Sequence, residues 1–492
     1  MLIKTINELK TLRKINSNKK IGLCHGVFDV IHEGHINHFY DSKKRSDILI
    51  VSITGDKFVN KGPYRPYNSS LKRAKVLQSL RCIDYVYINQ DFTPINFIKN
   101  LKPDFYFKGL DYLKKDLTGN LKKEISIVKK NNGSVIFTKT KLLSSTKIIN
   151  NKLTTWTKEQ GKFLYEINKY DYFDYIVGQF KKIENIQLDI VGEPIIDEYI
   201  HSKIIGLASK DPVLSGIVKS RDLIAGGVLP VAQIISQFVK KTRLFTYGNN
   251  NFIKTYLNKN IDLINIDKKQ NIQKKTRYIN NHRFQKILQL TNFEKNLFTE
   301  KSESKILKIL KKKLRKNIIV ADFGIGLFNN RILNYLNNSK NYKYLNIQSN
   351  SINFGFNLFT KYRKNRLIKY ISLDEKEWKL GVKSTELNEK IIKNFTNFHT
   401  AYSVTLGKKG SIYYYKKKKY YVPVFIDKVV DTTGCGDAYF AITSLLKIVD
   451  TKPELIPFLG NLYAGMHALN LANKNIPSKI SYLKYIKNLL TF

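Results

Sequence analysis

Ile21-Gly22-Leu23-Cys24-His25-Gly26-Val27-Phe28-Asp29-Val30-Ile31-His32-Glu33-Gly34-His35 is the stretch on which the reading of this chain turns. Its apolar opening, closed by Gly26, has the length and composition of a buried strand. The following segment, Ile36–Lys44, mixes polar and apolar residues at helical spacing. Strand, glycine-marked turn and helix bring orphan backbone N–H groups and the positive end of a helix dipole to one place, which attracts phosphate. His32 and His35 stand three apart, so they share a helical face and reach a single phosphate. A zinc site would need further ligands in step. Neither Cys24 nor the other histidines of the chain, eight in total, form an evident set.

Working outward, strand and helix patterns alternate through residues 1–150. Strands are expected at Lys20–Cys24, Ile48–Ile53, Tyr85–Ile88, Phe105–Lys108 and Ser134–Thr138. Helices are expected at Ile6–Arg13, Ile36–Lys44, Ser70–Leu80, Ile95–Lys99 and Leu121–Lys130. Such alternation predicts a parallel α/β sheet. Residues 151–185 are aromatic and charged with helical periodicity, which predicts a helical linker. A second α/β pattern opens at Leu188-Asp-Ile-Val-Gly192 and runs through a glycine-rich turn at Asp431–Asp437, so residues 186–492 form a second domain.

Composition narrows the class. With 492 residues, 42% hydrophobic and 25% charged, the chain has enough apolar surface for more than one core. No run approaches the roughly 18 apolar residues of a spanning helix, so membrane insertion is not expected. The first ten residues lack a signal-peptide core. Cys24, Cys82 and Cys435 are scattered and odd in number, which fits a reducing cytoplasm. The net charge of +46 would attract nucleic acid nonspecifically. Yet the cations are mostly lysine and spread along the chain, alongside abundant Asn, Ile, Tyr and Phe, the imprint of an AT-rich genome. No specific nucleic-acid partner is expected.

The pattern Gly26-x-Phe28-Asp29-x-x-His32-x-Gly34-His35 resembles the signature of the cytidylyltransferase-like nucleotidyltransferases, which have a Rossmann-like sheet. The resemblance implies that His32 and His35 stabilise charge on a transferring nucleotidyl phosphate. It assigns Gly26, Phe28, Asp29 and Gly34 to nucleotide binding, and Lys43 (or Lys44) to the phosphates or the acceptor. Further along, Lys61-Gly-Pro-Tyr-Arg65-Pro and Arg73 resemble the substrate loop and helix-start arginine of heptose 1-phosphate adenylyltransferases. Lys108-Gly-Leu-Asp111-Tyr resembles their Lys-Gly-Gly-Asp-Tyr, and Ser144-Ser145-Thr146 their nucleotide-binding Ser-Thr-Thr. Lys61, Arg65 and Arg73 are thereby expected at the substrate, and Lys108, Asp111, Ser144, Ser145 and Thr146 at the nucleotide. ATP is the expected nucleotide, with CTP the alternative, because Leu110 and His25 depart from the adenylyl pattern.

Asp431-Thr-Thr-Gly434-Cys435-Gly436-Asp437 resembles the C-terminal signature of PfkB, or ribokinase-like, sugar kinases. A Gly-x-Gly turn opening a helix aims amides at a transferring phosphoryl group, and the Asp437 carboxylate can take a hydroxyl proton. The resemblance implies a sugar site at Asp197, Gly226, Gly227 and Arg277. It implies nucleotide contacts at Thr405, Gly407, Gly410, Gly434, Cys435 and Gly436, and Mg2+ near Glu375 through water. Three positions depart from the kinase pattern: Pro230 after the diglycine, Gln348-Ser-Asn350 at a mid-domain strand end, and Ser372 before Glu375.

Both halves together resemble the bifunctional heptose 7-phosphate kinase/heptose 1-phosphate adenylyltransferase family, in which the kinase half comes first, whereas here it comes second. The expectation is an Mg2+-dependent cytoplasmic enzyme that takes an NTP and a sugar phosphate and supplies activated sugar for lipopolysaccharide or another surface polysaccharide. Two alternatives stay open: a kinase-like half that only binds or assembles, and association as a homodimer.

Overall fold

The computed structural model describes residues 1–110, 120–138, 145–150, 154, 156–282, 285–292, 298–362, 367–387 and 400–491. The chain divides into two compact units, Met1–Phe173 with Ile480–Phe492, and Asp174–Lys479. The expected linker resolves into helices Lys158–Asn168 and Tyr172–Glu184, and the division falls just inside the second. Residues 480–492, assigned from sequence to the second domain, group with the first.

The first unit is built on six strands: β1 (Leu2–Ile3), β2 (Ile21–Gly26), β3 (Ile48–Thr54), β4 (Tyr85–Asn89), β5 (Phe105–Gly109) and β6 (Ser134–Thr138). They lie in the order β1-β4-β3-β2-β5-β6, every pairing parallel. Alternate residues go to opposite faces: Ile21, Leu23, Ile48 and Ile50 enter one core, and Cys24, Leu49, Val51 and Ile53 the other. The chain moves outward from β2 through β3 to β4, then returns to β5 on its other side. This makes the β2/β5 boundary the switch point of the sheet, where open parallel sheets bind ligands at their carboxyl ends. The turn 26–35 leaves β2 at that boundary.

The second unit has a nine-stranded and a four-stranded sheet. Its strands are β7 (Leu188–Gly192), β8 (Pro194–Leu207), β9 (Leu214–Gly227), β10 (Thr242–Thr246), β11 (Ile261–Asn265), β12 (Gln273–Asn280), β13 (Gln285–Thr291), β14 (Asn317–Asp322), β15 (Tyr342–Ile347), β16 (Ile368–Asp374), β17 (Ala401–Thr405), β18 (Ser411–Tyr415) and β19 (Lys418–Val422). The large sheet runs β11-β10-β7-β14-β15-β16-β17-β18-β19, with every pairing parallel except β17–β18 and β18–β19, which are antiparallel. The small sheet runs β13-β12-β8-β9. Helix Cys435–Ile448 is buried almost along its length, which its near-continuous apolar sequence requires. No helix among the described residues is long and apolar enough to cross a membrane.

Candidate active sites

In the first unit, helix Glu33–Lys43 starts at His32, whose backbone is extended and whose carbonyl accepts from the amides of His35 (2.8 Å) and Ile36 (3.1 Å). This leaves both imidazoles at the first turn. Their rings stack with centroids 3.8 Å apart, and the Nδ1 of each is buried without a hydrogen-bond partner. Burial, together with neighbouring His32 and Lys61, depresses His35 to about 3, and burial also lowers His32. Two neutral rings therefore wait at a helix N-terminus. An arriving phosphate reverses that electrostatic balance and draws protons onto them.

The neighbours of this pair divide into groups that face it and groups that build it. Gly26 closes β2, and Gly34 is buried in the first helical turn. Phe28 holds a left-handed backbone (φ 49°) and packs edge-on against His35 at 5.3 Å and Phe39 at 5.0 Å. Asp29, expected at the nucleotide, accepts from the amides of Tyr67 (2.8 Å) and Asn68 (2.9 Å), so it anchors the segment that follows the Lys61–Arg65 loop. Ser145 donates to the Val30 carbonyl (3.1 Å) and Thr146 is buried beside it, which brings the later motif against the histidine turn. Lys108 is buried next to Glu124 (3.3 Å). Asp111 and Ser144 lie outside the described residues.

Two expected site residues are engaged elsewhere in the structure. Arg73, expected to touch substrate, is fully buried and donates to the carbonyls of Asn68, Val27 and Thr54 and to Asp56, so its guanidinium braces the loops after β2 and β3. Lys43, expected at the phosphates, ends the helix whose first turn holds His35, about 12 Å further along its axis. Its amine donates to Asp84 (2.7 Å) and to the Asp47 carbonyl (2.6 Å), groups that precede β4 and β3. Lys43 thus lies at the amino ends of the strands, and the histidines lie at the carboxyl ends. Lys61 and Arg65 lie beside the histidine turn: the Lys61 charge acts on His35, Arg65 Nη1 lies 3.7 Å from Asp29, and burial beside Arg65 lowers the Lys61 amine to about 8.

In the second unit the carboxyl ends of β7, β14, β15, β16 and β17 share one rim. Asp437 sits in the first turn of helix Cys435–Ile448, which Gly434 opens with a left-handed backbone (φ 81°). First-turn amides have no partner within the helix, and the open space around Gly436 leaves that end accessible. Gln348, at the end of β15, donates to Asp437 Oδ1 at 2.6 Å. Burial first, and the charge of Asp197 second, raise Asp437 to about 7, a value suited to general base work near neutrality. Lys275 also belongs here: burial lowers its pKa while Asp197 and Asp437 pull it back.

Asp197 pairs with Arg277 across the β8/β12 ladder, and a side chain on Gly226 would strike its other oxygen. Gly227 (φ 63°) turns the chain into helix Val228–Ser236, so the diglycine has a steric reason as well as an expected sugar contact. Thr405 pairs with Asp374 at the same rim, and Gly407 and Gly410 follow it with positive φ. Cys435 donates its amide to Thr432, and burial with two nearby carboxylates pushes its thiol up to about 12, so it is no nucleophile.

Glu375 is the acid expected near Mg2+ through water. It is half exposed and paired with Lys379 at 2.7 Å. Glu377 is the buried acid, accepting from the amides of Ser349 (3.0 Å) and Asp374 (2.8 Å). Burial, then Asp374, and further down Asp437, push it up to about 8. The sequence did carry this signal, since Asp374-x-x-Glu377 forms a capping box. Among the described residues no three His, Cys, Asp or Glu side chains gather around a metal. One or two acids at a phosphate-binding rim suit Mg2+, which arrives with nucleotide phosphates and keeps several waters.

Residues 23–151 match the cytidylyltransferase-like family, and residues 260–443 match the pfkB family of carbohydrate kinases. Among curated proteins, the bifunctional protein HldE of Campylobacter concisus is 36% identical over 129 residues, 26% of this chain and 27% of that protein. HldE of Helicobacter pylori strain P12 is 41% identical over 114 residues, 23% of this chain and 25% of that one. The chain therefore spans about a quarter of the length of these relatives. Among solved structures, phosphofructokinase-2 of Escherichia coli in complex with potassium aligns over 62% of this chain and 99% of its own, with a TM-score of 0.51 and 14% identity, a likeness of fold. The chain thus carries a cytidylyltransferase-like domain followed by a pfkB carbohydrate kinase domain.

Proposed function

We propose that the first unit transfers a nucleotidyl group from an NTP to a sugar 1-phosphate such as heptose 1-phosphate. A phosphate oxygen of the acceptor attacks the α-phosphorus, a new P–O bond forms, and the bond to pyrophosphate breaks. His32 and His35 donate to the charge that builds on the α-phosphate and the leaving oxygens. The observation that carries the reading is their stacked, half-buried arrangement at a helix N-terminus on the sheet's switch point. ATP is the proposed donor and CTP the alternative.

The second unit is proposed to phosphorylate a sugar or sugar phosphate. Asp437 accepts the hydroxyl proton as the oxygen attacks the γ-phosphorus and ADP leaves. Glu377 and Asp437 are the acids that would hold Mg2+ arriving with the nucleotide, and the ion would supply neutralisation of phosphate charge. The product line is a nucleotide-activated sugar for lipopolysaccharide or another surface polysaccharide. Three free cysteines accord with a cytoplasmic location, where both nucleotide pools lie. The small sheet leaves Val218, Leu223, Leu288 and Leu290 exposed on one face, and this apolar face supports a homodimer that sedimentation analysis would reveal.

Pyrophosphate release measured with each NTP against a panel of sugar 1-phosphates tests the transferase and names base and acceptor together. Release with no pair overturns it. ATP consumption that is the same in wild type and Asp437→Asn, over a panel of sugars and sugar phosphates, would reduce the second unit to a binding module.

A further inference from the structure

The first unit contains a helix that the sequence places after the whole second domain. Helix Lys479–Leu489 contributes Ile480 onward to this unit, and its contacts converge on the Lys61–Arg65 loop. The Asn488 side-chain amide donates to the Lys61 carbonyl. Asn150 donates to the carbonyls of Asn488 (2.6 Å) and Thr491 (3.3 Å), and its own oxygen accepts from Arg65 Nη2 at 3.2 Å. A Cβ on Gly62 (φ 94°) would run into the Tyr485 ring, so the loop is glycine where the helix presses on it. Lys61 and Arg65 are therefore fastened to the C-terminal helix from both ends.

The same helix brings charge. Lys484 and Lys487, half-buried and three residues apart, lie on one side of it with Asn488. Burial, Arg65, Lys484 and Lys487 all lower the Lys61 amine, while Asp29 raises it. Arg65 Nη1 is buried and has no hydrogen-bond partner. Gathering cations against one another is unfavourable unless an anion joins them.

We infer that the C-terminal helix is the acceptor wall of the transferase site: Asn488 and Tyr485 position the Lys61–Arg65 loop, and Lys484 and Lys487 complete with it a cationic pocket for the phosphate monoester of the acceptor. This rests on the nucleotidyl-transfer reading above. It makes a segment read as kinase sequence a specificity determinant of the other reaction. Asn488 is a positioning residue; Lys61, Arg65, Lys484 and Lys487 form the binding group.

The test uses the full chain with Lys484→Gln/Lys487→Gln. With the sugar 1-phosphate that wild type uses, the acceptor KM rises about tenfold and loses much of its dependence on ionic strength. The NTP KM and the melting temperature stay near wild type, and Lys484→Arg/Lys487→Arg restores the acceptor KM. Asn488→Leu raises the acceptor KM in the same direction. An independent measurement is acylation of Lys61 at pH 8, read by mass spectrometry with and without inorganic phosphate. Phosphate protects Lys61 in wild type and not in the Gln pair. Unchanged acceptor KM, or equal protection in the two proteins, overturns the acceptor wall. Protection without any pyrophosphate release would instead sink the transferase reading and leave the anion pocket standing.

Discussion

The pocket of the first unit is walled by imidazoles and amines, and that of the second by carboxylates. Burial acts on both and drives them in opposite directions. His25 and His35 fall to about 3 and His38 to about 4, all led by burial. Asp437 rises to about 7 and Glu377 to about 8, also led by burial. Burial thus disfavours the charged form of these groups in both sites: the histidines stay neutral until an anion draws protons onto them, whereas Asp437, balanced near neutrality, accepts a proton in its ionised form. The contrast also separates their origins. The histidine pair comes from four consecutive residues, whereas the acid site draws on residues 197, 275, 348, 377 and 437.

Asp437→Asn should produce the largest change, lowering sugar-dependent ATP consumption by about a thousandfold while pyrophosphate release with sugar 1-phosphates persists. Loss of both activities would show that the substitution damages more than the second site. His35→Ala is the reciprocal variant, with pyrophosphate release down about a hundredfold or more and sugar phosphorylation retained. Circular dichroism should find its fold unchanged.

Exchanging the two acids of helix Glu375–Val382 sharpens the comparison within the second unit. Glu377→Gln should lower kinase turnover about tenfold. Glu375→Gln should leave it within twofold, since that side chain pairs with Lys379 in solvent. Equal effects would return Glu375 to the site.

Stability should divide the units by pH. The histidines have folded pKa values below their ordinary one near 6.5, so they contribute stability above pH 6.5 that is lost as pH falls toward 3. Asp437 and Glu377 have folded values above their ordinary ones, so their contribution is full below about pH 4 and is lost as pH rises through 7 to 8. Hydrogen exchange read separately for each unit should show the first opening on acidification and the second on alkalinisation. A common direction in both would break the contrast. The smallest effect belongs to Lys43→Gln, about 1 kcal/mol or less of stability from a half-exposed pair and no change in turnover. A large fall in kcat would restore Lys43 to the chemistry.

Much of the first unit was legible because its signals are local. The expected strands fall within one or two residues of β2 to β6, since buried parallel strands read as apolar runs between turns. The two-residue β1 was missed, being too short to carry a pattern. In the second unit the Gly434–Asp437 helix start was equally plain. Glu377 is not singled out by the motif that points to Glu375; its signal is the capping box that starts the helix at Asp374. Gln348, noted only as a departure, turned out to be the hydrogen-bond partner of Asp437.

What the sequence by itself determined are the two glycine-marked turns at helix N-termini, since a strand, a glycine turn and a helix N-terminus are fixed by neighbouring residues. Only the tertiary structure decided which charged side chains reach those turns. It put Lys43 at the amino ends of the strands, made Arg73 a brace, and brought the C-terminal helix to Lys61. Helix length and strand direction set where a side chain ends up, and contacts between distant segments leave no periodicity in the chain to read.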